Sequence, residues 1–384
     1  MDFQLTDDQR MLIDTVNSFT KKDSHVERVR QIRENPVGWD RAVWAKMGEL
    51  GWLGVPFPED VGGIGGTFLD AGLLIEQLGT TLVPEPYVPS VIVAGLTVSN
   101  YGTEEQKQKL LPSMIEGKTS LALAYVEKQS RYDVSNVETR AEKNGGDYVL
   151  RGKKEWVING QSADHLLVSA RTSGGAADAG GVSLFIVEKN APGLKISSVE
   201  CMDSHKAGMV ELEGVKVGKD ALIGEEGAAA PILERAQDYG AAAACCEGSG
   251  INQSTLTMTR DYLCEREQFG VKIGTFQSLQ HRLVDMFVQV ELCKSTAIMA
   301  MLRADSTDEV ERKRSVSAAK KQLATGGFFV TRQGIQLHGG IGVTDEHNIG
   351  LYFKRMHTLC ALYGDEAHHV DRFSSLPSFT ANVS

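Results

Sequence analysis

No apolar run in this sequence of 384 residues approaches the roughly 18 residues that a membrane span needs. The opening MDFQLTDDQR has neither a basic n-region nor an apolar h-region, so no secretory leader is expected and a cytoplasmic location is. Basic charge is in deficit: 40 Lys and Arg stand against 50 Asp and Glu, a formal net charge of −10. That argues against nucleic acid or an anionic membrane as the main partner. Cysteine is sparse. Cys201, Cys245, Cys246, Cys264, Cys293 and Cys360 show no C-x-x-C spacing, which argues against zinc and disulfide frameworks. Buried free thiols in a reducing compartment are expected instead. His281 and His338 have no partners at metal-ligand spacing, so no metal is expected. There is no internal repeat and no βαβ alternation, and the latter argues against a dinucleotide-binding doubly wound sheet.

What is present is a chain long enough for two or three domains, with 42% hydrophobic and 23% charged residues, ordinary for a soluble globular protein. Its texture changes twice. Residues up to about Lys118 read as helices: Thr6 and Gln9 have capping-box spacing, and Leu12, Val16 and Phe19 follow on one face. Helices are also expected over Asp70–Leu82 and Glu104–Ile115, with the Gly/Pro-rich stretch Gly51–Gly66 between helical segments. From Thr119 to about Gly224 the pattern is that of strands, in YVLRGKKEWVINGQ, HLLVSA, VSLFIVE and MVELEGVKV. The loop TSGGAADAGG, Thr172–Gly181, reads as flexible and exposed. From Ala228 helix returns, and Leu279, Leu283, Met286, Val290, Cys293 and Ala297 mark one long amphipathic helix.

Three stretches carry chemistry. In REQFGVKIGTFQSLQH, Arg266 and Phe269 put a guanidinium and an aromatic at a helix end. The planar fork suits a diphosphate, and the alternative is a surface Arg with a core Phe. In QLHGGIG, paired glycines allow close backbone approach to a ligand, or simply make a turn. In KKEWVINGQ, Trp156 before Asn159-Gly160 reads as a hairpin with a core aromatic, or as a cofactor platform.

Taken in order, the helical layer, the E-W-V-I-N-G strand, R-E-Q-F-G, F-Q-x-x-Q-H and Q-x-H-G-G-I-G resemble the acyl-CoA dehydrogenase family over nearly the whole chain. The resemblance implies an α+β fold: an N-terminal α-helical domain over residues 1–118, a middle β-barrel or sheet domain over 119–226, and a C-terminal four-helix-bundle domain over 227–384. It implies FAD, α,β-desaturation of an acyl-CoA thioester, transfer of electrons to an electron-transfer flavoprotein, and sites shared between subunits of a dimer or tetramer. Trp156 and Ile158 match the strand along the flavin ring. Arg266, Gln268, Phe269 and Gln277 match the segment that reaches a neighbouring subunit's cofactor. Gln336, Gly339 and Gly340 match the turn on the adenosine diphosphate, and His368 a further cofactor contact.

Departures from the family pattern are as informative. VEKQSRYD replaces the usual T-E-P-x-x-G-S-D, so Val126 stands where a threonine hydroxyl meets the flavin, and Tyr132 where a small serine lies near the CoA arm. Asp238 keeps a CoA-side carboxylate, whereas Ala241 replaces a frequent arginine. The two positions at which family members carry the proton-abstracting glutamate are Gly364 and Gly240. Asp365 is the first substitute base and Glu127 a distant second, although DEAHH also reads as an acidic helix start. Three readings follow: a subunit whose partner supplies the base, a self-sufficient enzyme with an unusual base, and a scaffold or CoA-ester binding subunit without catalysis.

Overall fold

The computed structural model describes residues 4–377. The chain is α+β, with helices, then a sheet, then helices. The helices are α1 (Asp7–Lys22), α2 (Arg28–Ile32), α3 (Arg41–Glu49), α4 (Phe68–Gly79), α5 (Leu96–Tyr101), α6 (Glu104–Ile115), α7 (Ala229–Glu265), α8 (Gln277–Arg303), α9 (Glu309–Gln322), α10 (Phe328–His338), α11 (Ile349–Ala361) and α12 (Glu366–Ser374). Contacts gather the chain into two compact units. One holds the described residues to Gln31, Phe68–Val83 and those from Ala241. The other holds Ile32–Thr67 and Pro84–Gly240.

The second unit is built on one mixed sheet of β1 (Leu121–Ala124), β2 (Arg140–Asn144), β3 (Asp147–Ile158), β4 (His165–Arg171), β5 (Val182–Glu188), β6 (Leu194–Glu200), β7 (Lys206–Val217) and β8 (Leu222–Ile223). The order is β6-β7-β3-β2-β4-β5-β8, with β1 pairing parallel to β4. Leu150, Val157, Val168, Phe185, Val210 and Leu212 meet in its core. The four strands expected from sequence are all there. The structure adds β1, β2, β6 and β8. LALA of β1 is short and rich in helix formers, and β6 is an edge strand with no fully buried residue, so neither carries a strong strand signal.

The loop Thr172–Gly181 is largely exposed, as expected, but it is organised rather than loose. Arg171, the last residue of β4, is 1% exposed and donates only to backbone carbonyls. Its guanidinium reaches Ser135 (2.5 Å), Val137 (3.1 Å), Ser173 (3.3 Å), Ala176 (2.9 Å), Asp178 (3.0 Å) and Gly180 (2.7 Å). Buried carbonyls must find donors, and here five N–H groups of one side chain provide them.

In the first unit the expected capping box is formed. Thr6 Oγ1 accepts from the Gln9 N–H at 3.2 Å, and Gln9 Oε1 accepts from the Thr6 N–H at 3.1 Å. α8 buries Met286, Val290, Cys293 and Ala297 on the expected face, and Leu279 and Leu283 pack against the same cluster with Leu263, Val330 and Leu337. Its outer face carries exposed Val284, Phe287, Val288 and Leu292. The thiols of Cys245, Cys246 and Cys293 are buried, and Cys201 and Cys360 are half-buried. Cys264, at the outer side of the last turn of α7, corrects the expectation by being exposed.

Candidate functional site

In the sheet unit the centre of interest is a bulge in β3. Lys154 pairs with Val210 and Val157 with Gly208, so Glu155 and Trp156 together face a single residue of β7. Such an extra residue bends a strand and re-aims a side chain. Trp156 adopts φ 52°, in the left-handed region, and is 51% exposed. Trp39, Trp44 and Trp52 are all buried, so Trp156 is not the core aromatic that one reading of the sequence expects. Nor does Asn159-Gly160 close a hairpin, because β4 pairs with β1, β2 and β5 rather than with β3. Asn159 instead accepts from the Trp39 indole at 3.0 Å and donates to the Leu121 carbonyl at 3.2 Å.

The bulge brings two candidates together. The Glu155 N–H donates to the Val126 carbonyl at 2.9 Å, which sets Val126, half-buried, beside the base of Trp156. Ile158, also half-buried, ends the strand. Tyr132 is half-buried; its carbonyl accepts from Gln237 at 3.2 Å, and the Arg131 guanidinium lies 6.0 Å over its ring. Gln237 also bonds the hydroxyl of Tyr125, which burial pushes up to about 12. Asp238 is fully buried and Gly240 is buried beside it in α7.

Beneath the bulge lies a feature that the sequence reading did not single out. Lys154, 0% exposed, donates to Glu127 Oε1 at 2.5 Å and to Ser169 Oγ at 2.8 Å. Glu127 further accepts from the N–H groups of Glu138 (2.7 Å) and Thr139 (3.1 Å) and from Gln129 (2.9 Å). Burial pulls Lys154 down to about 8 against the attraction of Glu127. Burial pushes Glu127 up, but the lysine's charge and hydrogen bond hold it below the usual carboxylate value. A signal was present: Lys154 is in phase with Tyr148 and Leu150 on the buried side of β3, and a lysine there needs a buried partner.

In the helical unit, β9 (Glu267–Gln268) and β10 (Val271–Lys272) form a short hairpin after α7. Its two turn residues, Phe269 and Gly270, both have positive φ, 57° and 80°. That is the turn whose twist suits a hairpin and which glycine or asparagine normally supplies. Here Phe269 holds the strained position and is 91% exposed, which overturns the core-Phe alternative. Arg266 and Gln268 are exposed beside it, and the Arg266 side chain has no hydrogen-bond or ion-pair partner among the described residues. Gln277 is exposed at the first turn of α8, close behind Phe276, whose ring lies 6.2 Å from that of Phe269.

Gln336 is exposed in the last turn of α10, and Gly339 closes that helix with φ 62° and ψ −139°, a conformation open essentially to glycine alone. No heavy atom lies within 4 Å of a Cβ built on Gly339 or Gly340, so the turn presents bare, unobstructed backbone. Below it His338 is 1% exposed, its Nδ1 2.7 Å from the Gly334 carbonyl, its ring stacked 4.5 Å from Tyr262 and tilted against His347 at 4.5 Å. Burial pulls His338 down to about 4.

At the C-terminal end Gly364 has φ 115°. Asp365 is the N-cap of α12: its Oδ1 accepts from the His368 N–H at 2.9 Å. The half-buried His368 follows. His369 is 1% exposed, with Nδ1 3.3 Å from Ser317 Oγ and Nε2 3.1 Å from the Tyr363 carbonyl, and burial pulls it down to about 2. Among the described residues no three metal-ligating side chains gather, and no helix is long and apolar enough to cross a membrane.

Comparison with known proteins is consistent along the chain. Three family models match in order: "Acyl-CoA dehydrogenase, N-terminal domain" over residues 6–118, "Acyl-CoA dehydrogenase, middle domain" over 122–215, and "Acyl-CoA dehydrogenase, C-terminal domain" over 231–373. A probable acyl-CoA dehydrogenase of Bacillus subtilis is 30% identical over 91% of this chain and 92% of its own. A solved variant of the Tcur3481–Tcur3483 steroid ACAD is 29% identical, with a TM-score of 0.87 over 98% of this chain and 99% of that one. A chain solved in work on the electron transferring flavoprotein of Acidaminococcus fermentans is 30% identical, with a TM-score of 0.91 over 97% and 98%.

Proposed function

Because this chain belongs to the acyl-CoA dehydrogenase family of FAD-dependent oxidoreductases, we propose that it is the subunit of a heteromeric acyl-CoA dehydrogenase that lacks the proton-abstracting glutamate. The observation that carries this is Gly364. A Cβ there would meet His369 Nε2 at 2.4 Å and His368 Cδ2 at 2.7 Å, in a backbone conformation that disfavours side chains. The base position is thus filled by a neighbour rather than merely emptied. The substitutes are committed elsewhere: Asp365 caps α12, and Glu127 is held by Lys154 and two backbone N–H groups.

The remaining residues fit a flavin dinucleotide. Trp156 offers a half-exposed aromatic face beside Val126 and Ile158. Arg266 offers an exposed guanidinium, with Gln268, Phe269 and Gln277 around it, and the Gln336–Gly340 turn offers bare backbone. Val126 is the misfit, since it has no hydroxyl to donate to the ring. FAD, when bound, supplies a hydride acceptor for the β-carbon of an acyl-CoA thioester. The roles of this chain are to bind and orient. Trp156 and Val126 line one ring, Arg266 and the glycine turn bind the diphosphate of a cofactor in a neighbouring subunit, His368 adds a contact, and Tyr132 and Asp238 shape the CoA side. The three-domain division at residues 118 and 226, a tetramer in the cytoplasm, and an electron-transfer flavoprotein as acceptor belong to the same reading. The exposed apolar face of α8 favours an oligomer, and the relative solved in the flavoprotein work favours the acceptor.

For the substrate, VEKQSRYD and GDEAHH look most like the small subunit of pimeloyl-CoA dehydrogenase, while the steroid ACAD relative points to a bulkier ring-bearing ester. The chain purified alone, incubated with pimeloyl-CoA and with a steroid side-chain CoA ester, should leave its flavin unbleached. Co-expression with a base-bearing subunit should restore bleaching. Full turnover by the chain alone would sink the proposal.

A further inference from the structure

Trp156 holds a backbone conformation that costs a residue with a side chain about 1–3 kcal/mol, and such strain persists only where neighbours over-determine it. Two contacts do so. The Glu155 N–H is tied to the Val126 carbonyl inside the bulge. Lys154, the last residue in register before the bulge, is fixed by Glu127 and Ser169, and Glu127 follows Val126 directly in the chain. One buried ion pair therefore joins the segment bearing Trp156 to the segment bearing Val126. Stability alone does not call for it, because an apolar pair of similar volume commonly serves a core as well or better. A pair retained at that desolvation cost, between the two segments that face the flavin, points to geometry as its purpose.

We propose that Lys154 and Glu127 are positioning residues, holding the β3 bulge so that the Trp156 ring and the Val126 backbone form one rigid seat for the flavin ring. The proposal rests on the flavin reading above. Neither side chain touches the cofactor; each acts through the backbone next to it.

The test compares the wild-type chain with Lys154→Met/Glu127→Gln, which removes both charges together and leaves an amide oxygen to accept from the buried Thr139 N–H. Three readouts are taken: the thermal midpoint, acrylamide quenching of tryptophan emission, and FAD affinity with the shape of the visible band. Quenching reports on Trp156, which is 51% exposed while Trp39, Trp44 and Trp52 are 3%, 0% and 1%. The double variant should fold with a somewhat lower midpoint, because Glu127 also accepts from two backbone N–H groups, and should show altered quenching, bind FAD about tenfold more weakly and shift the flavin band shape. Unchanged quenching with unchanged FAD affinity would overturn the proposal. Should the double variant fail to fold, Ser169→Ala decides, since it removes one acceptor from Lys154. A drop of a few fold in FAD affinity at an unchanged midpoint supports the assignment, and no drop overturns it. A wild-type chain that takes up no FAD, alone or with a base-bearing subunit, refutes the flavin reading; the quenching comparison then still decides whether the pair sets Trp156.

Discussion

A Cβ on Gly364 would stand 2.4 Å from Nε2 of His369, closer than side-chain carbons and nitrogens approach one another. Gly364→Ala should therefore lose about 2–4 kcal/mol of stability, from positive-φ strain and overpacking together. His369→Ala in the same chain removes the closest contact but neither the strain nor the 2.7 Å approach of His368 Cδ2, so the double variant should recover part of the loss. Urea unfolding of the three proteins checks this. Equal stability of wild type and Gly364→Ala would show that the glycine is a free choice, and that a glutamate could stand there.

Acid should weaken the fold through two buried histidines. His338 is pulled down to about 4 and His369 to about 2, both by burial. Unfolded histidines titrate near 6.5. Between 6.5 and those lowered values the unfolded chain binds more protons, so stability rises with pH in that window and is lost as pH falls through it. At pH 5 each histidine should cost about 1–2 kcal/mol relative to pH 7.5. Urea midpoints at the two pH values test this, and His338→Gln should flatten part of the difference.

Phe269 should trade binding against strain. Phe269→Gly suits the φ of 57° better than the native residue and removes no buried contact, since the side chain is 91% exposed. Stability should be unchanged or rise by at most about 1 kcal/mol. If the ring serves a cofactor in a neighbouring subunit, FAD content measured by the visible band should fall in the assembled enzyme. Full FAD content would remove Phe269 from the cofactor set.

Arg266→Lys should behave almost like Arg266→Ala in FAD affinity, because an ammonium cannot reproduce the bidentate fork. Arg266 is exposed and has no partner among the described residues, so neither variant should move the thermal midpoint. A lysine variant with wild-type affinity would mean that the site uses charge alone.

Much of this was legible in residues. Period-2 alternation located the long central strands, the Thr6–Gln9 spacing located a capping box, and the apolar spacing from Leu279 to Ala297 gave the buried face of α8. The motifs around Trp156, Arg266 and Gly339 marked surfaces that the fold leaves open. What escaped depends on long-range contact. Nothing local in KKEW says that the second lysine finds a carboxylate 27 residues earlier. Nothing in GDEAHH says that the second histidine turns back under the glycine. The strained φ of Trp156 escaped for the same reason, since it follows from the register of β3 against β7 and not from its own neighbours.

Arg171 is held by carbonyl dipoles alone, with no carboxylate among its hydrogen-bond partners. Neither partner in those bonds exchanges a proton in the ordinary range, and mobile ions have little access to a buried guanidinium. The clasp around residues 172–181 should accordingly stay shut in brine or vinegar-like acidity that loosens ordinary ion pairs, failing only when β4 itself melts.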